Sequence, residues 1–437
     1  MPEATGQVLE LAGYDPRARA LAWYLDHFRR RWHDASEDDV RMAYRSDDPI
    51  PPAQRLRVDR GLAEKMPPLD LDQVLAVSDH EAIARLHDAQ GRRWRVRAIM
   101  HPPEPDRLRW AFLTQEPPPG VVIRPCAPSE GPALAALERR VPIVDGEVRR
   151  VYDRGVDYFA AAAVPDEHQV LGAEMDGALV GMYGQVRHPA RAAGRLLRVA
   201  YLRHLRVDPC AQGRGILSAL VGASGESAVP RCDAPWSLTG ASNDAVDRHG
   251  MQDSARSPAV QLRVDVRAAA RCIALPCPPS PSDAEAIAAF LDRSMGALEL
   301  SRPWAPEDVS ARIETVGLRY GWDRLAFTGV ALLGVERTPV TVETQSPAGI
   351  SIRRQVLAFD AASLPGCESQ LEGLVRAWCS RLAEEGVDDL LIMVSSPAVR
   401  RLLEPIASHA TSFNLNHDFA VASDAEARGY FVDGMLF

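Results

Sequence analysis

The chain has 437 residues, a formal net charge of −9, and apolar and charged fractions of 46% and 25%. This length exceeds one ordinary hydrophobic core, so two or three globular domains are expected. The negative charge gives no support to nucleic-acid binding, which requires a basic face. The chain has no run of about 18 apolar residues, and its amino terminus lacks a basic start followed by an apolar stretch. We therefore expect a cytoplasmic protein with no membrane or nucleic-acid partner.

The seven cysteines are scattered without a pattern. An odd, unpatterned set in a chain of this length indicates reduced thiols rather than a disulfide framework. Cys272 and Cys277 have no histidine or second cysteine pair at the spacing of zinc ligands, so no metal site is expected.

The first predicted block covers residues 1–118 and begins with helical patterns at Pro16–Trp32 and Glu37–Tyr44. Apolar residues then alternate with polar ones at Trp94–Met100 and Leu108–Phe112, which predicts antiparallel strands. Helices followed by such a sheet resemble the cystatin-like or nuclear-transport-factor-like cone, an α+β fold. The resemblance implies a small-ligand pocket or an adaptor module. We favour the adaptor, because the block shows no catalytic constellation.

A stiff, proline-rich linker at 115–120 separates this block from a second one at 121–270. Ser129 is predicted to cap the first helix of the block, which ends at Leu137. Asp176-Gly177 predicts the turn of a hairpin. The other predicted elements are strands at Val121–Pro125, Val170–Met175, Ala178–Val186, Leu197–Val207, Trp236–Thr239 and Ala259–Val266, and helices at 216–228 and Asn243–His249.

The loop that follows the strand Leu197–Val207 is the most informative segment of the chain. It reads Gln212-Gly213-Arg214-Gly215-Ile216-Leu217, after the lead-in Val207-Asp208-Pro209. Glycines at a strand-to-helix turn let the backbone approach a ligand and point several N–H groups in one direction. The helix that begins there adds unpaired N–H groups and partial positive charge. The loop therefore predicts a diphosphate seat, with the charge of Arg214 at its rim.

This segment resembles the acyl-CoA-binding motif of the GNAT superfamily of N-acetyltransferases, (Gln/Arg)-x-x-Gly-x-(Gly/Ala). Leu217 departs from the usual glycine or alanine, as it does in the enhanced-intracellular-survival (Eis) type of multi-domain acetyltransferase. The order of elements over residues 121–270 is also similar to that family, whose fold is a mixed, mostly antiparallel sheet with helices on both faces. The resemblance implies an enzyme that transfers an acyl group from acetyl-CoA, or another acyl-CoA, directly to a small-molecule amine. It implies CoA contacts at Leu205, Arg206, Val207, Gln212, Gly213, Arg214, Gly215, Ile216, Leu217, Ser218 and Asn243.

The family resemblance also implies that two strands diverge beside the motif and admit the pantetheine arm. A backbone N–H group near Leu205–Val207 would then polarise the thioester carbonyl. His204 lies on this strand and is the candidate base for the amine proton, because imidazole titrates near neutral pH. The alternative for His204 is a position facing solvent or a neighbouring helix. Glu174 and Asp176 are weaker candidate bases.

The segment Val246-Asp247-Arg248-His249-Gly250-Met251 matches the Tyr-x-Arg-x-Gly-(Phe/Tyr) setting of relatives, whose tyrosine protonates the leaving thiolate. Val246 stands in place of that tyrosine and cannot donate a proton. His249 is the nearest titratable group and is therefore the candidate acid. The alternative for His249 is a structural or substrate-lining role.

The third predicted block, residues 282–437, again resembles a GNAT domain. Its connection into the long helix, 360–367, has one glycine and no arginine. We predict a degenerate second copy without a diphosphate seat, and the alternative is an unrelated α/β domain. Strands are predicted at Arg324–Leu333 and Tyr430–Leu436. Enzymes of the Eis type use their C-terminal carboxylate as a base, and this chain similarly ends in an apolar strand and Phe437. The alternative, which we favour, is that this last strand is only part of the sheet.

Three functions are compatible with these residues. The first is an acyl-CoA-dependent N-acyltransferase acting on a small-molecule amine. The second is a CoA-binding or scaffolding protein of the same fold, in which loss of the tyrosine ended catalysis. The third is an acyl-CoA decarboxylase or hydrolase, in which His204 or His249 acts without an amine acceptor. Residues 139–165 are expected to line the acceptor cleft. Their arginines indicate an anionic group in the acceptor, and the alternative is ordinary surface arginines, because arginine is overused in this chain. The sequence leaves open whether the chain forms a homo-oligomer.

Overall fold

The computed structural model describes residues 35–43, 52–53, 55–56, 69–78, 81–101, 104–145, 147–161, 166–228, 232–240, 255–315, 321–394, 396–417, 419, 425 and 429–432. Within these ranges the side chains of 100–112, 145, 161, 225–228, 255 and 315 are not described. The helix predicted at Pro16–Trp32 and the one predicted at Asn243–His249 lie outside the described residues.

The amino-terminal block forms a helix and an antiparallel sheet of four strands. Helix α1 spans Glu37–Ala43, as predicted to within one residue. The strands run in the spatial order β1-β2-β3-β4, so each strand pairs with its neighbour in sequence. They are β1 (Leu69–Val77), β2 (Glu81–Asp88), β3 (Arg93–His101) and β4 (Glu104–Gln115). The alternating patterns at Trp94–Met100 and Leu108–Phe112 thus fall on adjacent strands, as predicted.

Within the described residues, the second block has its predicted strands and helices in the predicted order. Asp176 and Gly177 have φ angles of 52° and 77°, which form the tight turn of the predicted hairpin. Its described elements are β5 (Val121–Pro125), α2 (Gly131–Arg140), β6 (Ile143–Asp145), β7 (Val148–Asp153), α3 (Tyr158–Ala161), β8 (Glu167–Met175), β9 (Ala178–Ala192), β10 (Arg195–Val207), α4 (Ile216–Ala228), β11 (Ala234–Gly240), β12 (Ala255–Asp265) and α5 (Val266–Ala269). Strands β6 and β7 and helix α3 were not predicted.

The start of helix α2 differs from the prediction. Ser129 is not its cap, because it lies inside a 3₁₀ turn at Pro128–Glu130 that precedes the helix. The chain turns early because Pro128 fixes the first φ of that turn and the carboxylate of Glu130 accepts a hydrogen bond from Ala127 N at 2.7 Å. The helix then continues past Leu137 to Arg140.

The third block has α6 (Ala284–Met295), α7 (Pro306–Thr315), β13 (Leu325–Phe327), β14 (Ala331–Val335), β15 (Val340–Ser346), β16 (Gly349–Ser363), α8 (Glu368–Glu384), β17 (Asp389–Val394), α9 (Pro397–Leu403) and β18 (His409–His417). The single strand predicted at Arg324–Leu333 is wrong. Gly329, with a φ angle of 83°, turns the chain there and divides the segment into two paired strands. The strand predicted at Tyr430–Leu436 is represented by one bridge between Tyr430 and Glu299, and 433–437 lie outside the described residues.

Strands of the second and third blocks form one continuous sheet. Within the described residues its main path is β5-β8-β9-β10-β11-β18-β12-β17-β16-β15-β7-β6, with β14 on β16 and β13 on β14. Strand β18 of the third block lies between β11 and β12 of the second. Strand β7 of the second block pairs with β15 of the third. The two blocks therefore share one sheet, and the position of β10 next to β11 is set by strands from both.

The two faces of strand β9 contact different helices, because successive residues of a strand point to opposite sides. Gly181 and Tyr183 face helix α4, where Leu220 packs against them. Met182 and Gly184 face α2 and α3, and the hydroxyl of Tyr158 lies above Gly184. The glycine-rich loop and the polar groups around His204 thus occupy opposite sides of the same three strands, β8 to β10.

A buried histidine holds the junction of β11, β18 and β12. His417 Nδ1 donates to the carbonyl of Phe419 at 3.0 Å, and its Nε2 lies 3.2 Å from Ser257 Oγ. Ser257 Oγ in turn lies 2.8 Å from Tyr430 Oη. Burial lowers the pKa of His417 from 6.5 to about 4, against a smaller opposite effect of the Phe419 carbonyl. His417 is therefore neutral in the folded protein at neutral pH.

We expect this neutral histidine to make the fold less stable in mild acid. Between pH 6.5 and about 4 the unfolded chain binds a proton at His417 that the folded chain does not. The free energy of unfolding therefore falls as the pH is lowered, by about 1.4 kcal/mol per pH unit for this group. His417→Gln should remove that part of the slope when urea unfolding is measured from pH 7 to 4.5. His409→Gln, at the exposed start of the same strand, should leave the slope unchanged. Equal slopes in wild type and His417→Gln would contradict the assignment.

Candidate functional site

The glycine-rich loop carries a row of backbone N–H groups that have no protein acceptor among the described residues. After β10 the chain forms a 3₁₀ turn at Pro209–Ala211 and reaches α4 through Gly213 and Gly215. Their φ angles of 74° and 79° lie in the region that favours glycine. Among the described residues, no hydrogen bond runs from the N–H groups of 213–218 to a protein oxygen. These groups converge at a helix amino terminus, which is the arrangement that binds phosphate.

The side chains of the loop have different surroundings. Gln212 Nε2 donates to the carbonyl of Val207 at 3.1 Å, so this side chain braces the loop against the strand. Arg214 is exposed at the rim and lies 3.5 Å from the sulfur of Met175. Ile216 is buried in the core beneath the helix. Leu217 and Ser218 are half-buried. The donors that a diphosphate would meet here are thus mainly backbone N–H groups.

Strands β10 and β11 diverge beside this loop. They pair in parallel only from Val199–Leu202 to Ala234–Ser237. Beyond that point β11 stays with β18 on its other edge, while β10 continues along β9 to Val207. The β9 register shifts between Arg203 and Arg206, which marks a bulge. In the described part of the chain, the edge of β10 from Arg203 to Val207 therefore has no strand beside it, and it presents backbone groups to an open wedge.

His204 lies in the bulge and has a left-handed backbone, with a φ angle of 52°. Non-glycine residues adopt this conformation rarely, and it costs about 1 kcal/mol or more. The half-buried imidazole contacts Tyr158, with Nδ1 2.6 Å from the tyrosine Oη. Burial is the largest cause that lowers the pKa of His204 well below 6.5, followed by the charges of Arg203, Arg154 and Arg206 and by His168. The imidazole is therefore neutral at neutral pH.

Tyr158 comes from the short helix α3, and its side chain is fully buried. Burial raises the pKa of its hydroxyl, which stays protonated. The phenol ring also meets the His204 ring edge-on, with centroids 5.5 Å apart. The imidazole is thus fixed both by a hydrogen bond and by ring packing.

Three arginines surround this pair and are called the arginine cluster here: Arg154, Arg203 and Arg206. Arg154 Nε donates to the buried carboxylate of Glu138 at 3.1 Å. Arg203 Nη2 lies 3.2 Å from His168 Nε2, and Arg206 Nη1 donates to the Leu205 carbonyl at 2.9 Å. Burial lowers the pKa of Arg206, and the charge of Glu138 opposes that effect. The surroundings of His204 are therefore electropositive.

The remaining candidate groups are placed as follows. Glu174 accepts hydrogen bonds from Arg124 Nε and Nη2 at 3.0 and 2.8 Å, so its carboxylate is already engaged. Asp176 forms the hairpin turn beyond the end of β8. Neither is near His204 in the register of β8, β9 and β10. The predicted residues Asn243, Val246 and His249 lie outside the described residues, as does the carboxylate of Phe437.

The sequence did not predict the pairing of His204 with Tyr158, nor the positions of Glu138 and His168. Tyr158 was expected only as a wall of the acceptor cleft. No local pattern joins it to His204, because 46 residues separate them. The available signal was the position of Arg154 and Tyr158 in the segment 139–165, which was expected to line the acceptor cleft.

No family model and no curated protein matches the sequence. Two crystal structures of Saccharomyces cerevisiae N-myristoyltransferase with bound myristoyl-CoA match the structure with TM-scores of 0.53 and 0.54, at 10% and 8% identity. The matches cover 72% and 73% of this chain, and 86% and 91% of theirs. The chain shares the fold of these N-acyltransferases. A GCN5-related glucosamine N-acetyltransferase region of a fungal enzyme matches at a TM-score of 0.43, too low to establish a common fold.

The predicted fold class, mixed α+β with a large and mostly antiparallel sheet, is confirmed by the sheet topology and by these matches. The cystatin-like and Eis-like details are not supported by them. Within the described residues, no group of three or more His, Cys, Asp or Glu side chains could hold a metal ion. Among the same residues, no helix is long and apolar enough to span a membrane. All seven cysteines are free thiols.

Proposed function

We propose that this chain is an acyl-CoA-dependent N-acyltransferase that transfers the acyl group directly to an amine. The observation that carries the proposal is the divergence of β10 and β11 beside the loop 213–218, whose N–H groups donate to no protein oxygen among the described residues. A diphosphate on those N–H groups would lead its pantetheine arm into the wedge. The bare edge of β10 near Leu205 would then supply backbone donors to the thioester carbonyl.

His204 is the proposed base. In the tautomer whose Nδ1–H donates to Tyr158 Oη, the lone pair of Nε2 can accept a proton from the attacking amine. A neutral amine attacks the thioester carbon, the C–N bond forms and the C–S bond breaks. The proton of the attacking nitrogen passes to Nε2, and the sulfur leaves as thiolate. Because the pKa of His204 is low, the imidazolium readily gives the proton on to the thiolate, which leaves as free CoA.

This assignment gives His204 both proton-transfer roles. His249 remains the proposed alternative for the acid step. The arginine cluster supports the acid role of His204, because nearby positive charge stabilises a thiolate and destabilises an imidazolium.

The acyl group and the acceptor are narrower proposals. We take acetyl-CoA as the co-substrate and a small-molecule amine as the acceptor. The arginine cluster places positive charge beside His204, which favours an acceptor whose amine stands beside a carboxylate. The matched N-myristoyltransferases were crystallised with myristoyl-CoA, so a long acyl chain is the alternative to measure.

The test is release of free thiol from acetyl-CoA and from myristoyl-CoA by the full-length protein, with and without a panel of amines. The panel pairs amino acids with their methyl esters, which keep the amine but lose the carboxylate. Amine-dependent thiol release, faster for the free acids, supports the proposal. Thiol release that needs no amine indicates a hydrolase or decarboxylase. CoA binding without thiol release from any amine indicates a scaffolding protein, and absence of CoA binding overturns the proposal.

A further inference from the structure

The amino-terminal sheet contacts the predicted CoA site. The end of strand β4 packs on helix α4, at two glycines that lie two helical turns apart. A Cβ atom on Gly222 would lie 2.1 Å from Thr114 Cγ2, and one on Gly215 would lie 2.8 Å from Gln115 Nε2. At Gly222 only glycine lets the strand approach so closely, whereas at Gly215 the near atoms form the flexible end of the Gln115 side chain.

Strand geometry explains how two adjacent residues reach both glycines. Successive side chains of a strand point to opposite sides, and seven residues of a helix rise about 10 Å. Thr114 contacts the middle of α4 at Gly222, and Gln115 contacts Gly215, the residue before the helix begins. The amino terminus of α4 is the end that carries the predicted diphosphate seat.

Hydrogen bonds to the neighbouring strands fix the backbone next to Gln115. The N–H group of the next residue, Glu116, donates to the carbonyl of Arg93 at 2.9 Å. The carboxylate of Glu116 accepts from Arg85 Nε at 2.9 Å. Gln115 itself pairs in the sheet with Trp94. Gln115 is half-buried, and its side-chain amide makes no hydrogen bond within the described residues.

We propose that the side-chain amide of Gln115 is part of the diphosphate seat and donates to a phosphate oxygen of bound CoA. The inference rests on the proposed function, because it needs a CoA diphosphate at 213–218. The amide of Gln115, whose Nε2 lies next to Gly215, adds a donor to the row of backbone N–H groups of the same loop. The CoA site of this chain is therefore completed by a residue of the amino-terminal block, and that block is more than an adaptor.

The test compares CoA binding by calorimetry for wild type, Gln115→Met and Gln115→Glu. Methionine keeps the length of the side chain and removes the donor, so the affinity should fall about 10-fold. Glutamate also places negative charge beside the phosphates, so the affinity should fall about 100-fold. Gln73→Glu, on the exposed strand β1 at the far edge of the same sheet, is the matched charge control and should bind CoA as wild type does.

Acetyl-pantetheine, which lacks the nucleotide and the diphosphate, separates the possible outcomes. All four proteins should bind it equally, because Gln115 would have no phosphate to contact. Equal CoA affinity of wild type and Gln115→Glu would overturn the inference and leave the proposed function intact. Equal losses with CoA and acetyl-pantetheine would indicate a general packing role and also overturn it. Absence of CoA binding by wild type would instead contradict the proposed function.

Discussion

Replacement of Gly213 with valine should lower the affinity for CoA by about 100-fold or more. Gly213 has a φ angle of 74°, which a β-branched residue adopts only at high cost. The backbone would relax and turn its N–H groups away from the diphosphate. Hydrogen bonds to charged groups contribute about 1.5–3 kcal/mol each, so the loss of one or two gives this factor. The measurement is calorimetry with CoA.

Gly194→Val is the matched control for this experiment. Gly194 lies in the turn between β9 and β10, has a φ angle of 73°, and has no atom within 4 Å of a would-be Cβ, as is also true of Gly213. The two variants carry the same backbone strain and no packing clash, but only one lies at the seat. Comparable CoA affinities in both variants would refute the seat. Gly215 is less suitable, because a side chain there meets Gln115 whether or not CoA binds.

Replacement of His204 with asparagine should lower kcat by about 100-fold to 10,000-fold, the range typical of a lost general base. Asparagine tolerates the left-handed backbone that the bulge imposes, so the strand should keep its shape. CoA affinity should change little, because the imidazole lies on the face of the sheet opposite helix α4. Steady-state kinetics with the best amine, together with calorimetry, separate the two effects. An unchanged kcat would show that His204 is not the base.

The pH profile distinguishes catalysis from a structural role of the same histidine. Because burial and the arginine cluster lower its pKa well below 6.5, wild-type kcat should stay level as the pH is lowered through 6.5. Tyr158→Phe removes the hydroxyl that holds Nδ1 and keeps the ring that packs beside it. It should reduce kcat about 10-fold, in line with the loss of one hydrogen bond, and move the acidic limb of the profile. An unshifted limb would show that Tyr158 only fills space.

Local sequence signals predicted most elements of the fold. The glycines of the loop, the Asp176-Gly177 turn and the apolar periodicity of α4 each act within a few residues, so they fix the structure wherever the rest of the chain packs. The errors at Ser129 and Gly329 arose where a local turn competed with a longer regular element. The predicted CoA contacts at 213–218 also follow from local backbone geometry, and they stay predictions until a ligand is measured.

The sequence by itself thus determined a glycine-rich strand–loop–helix unit and the α+β class, because those depend on backbone preferences of neighbouring residues. Only the tertiary structure decided that β18 lies between β11 and β12, that Tyr158 reaches His204, and that Gln115 reaches Gly215. Each of these contacts joins residues far apart in the chain. Strand pairing depends on which sheet edges remain open, and a histidine's pKa depends on the burial and charge around it, so neither can be read from neighbouring residues alone.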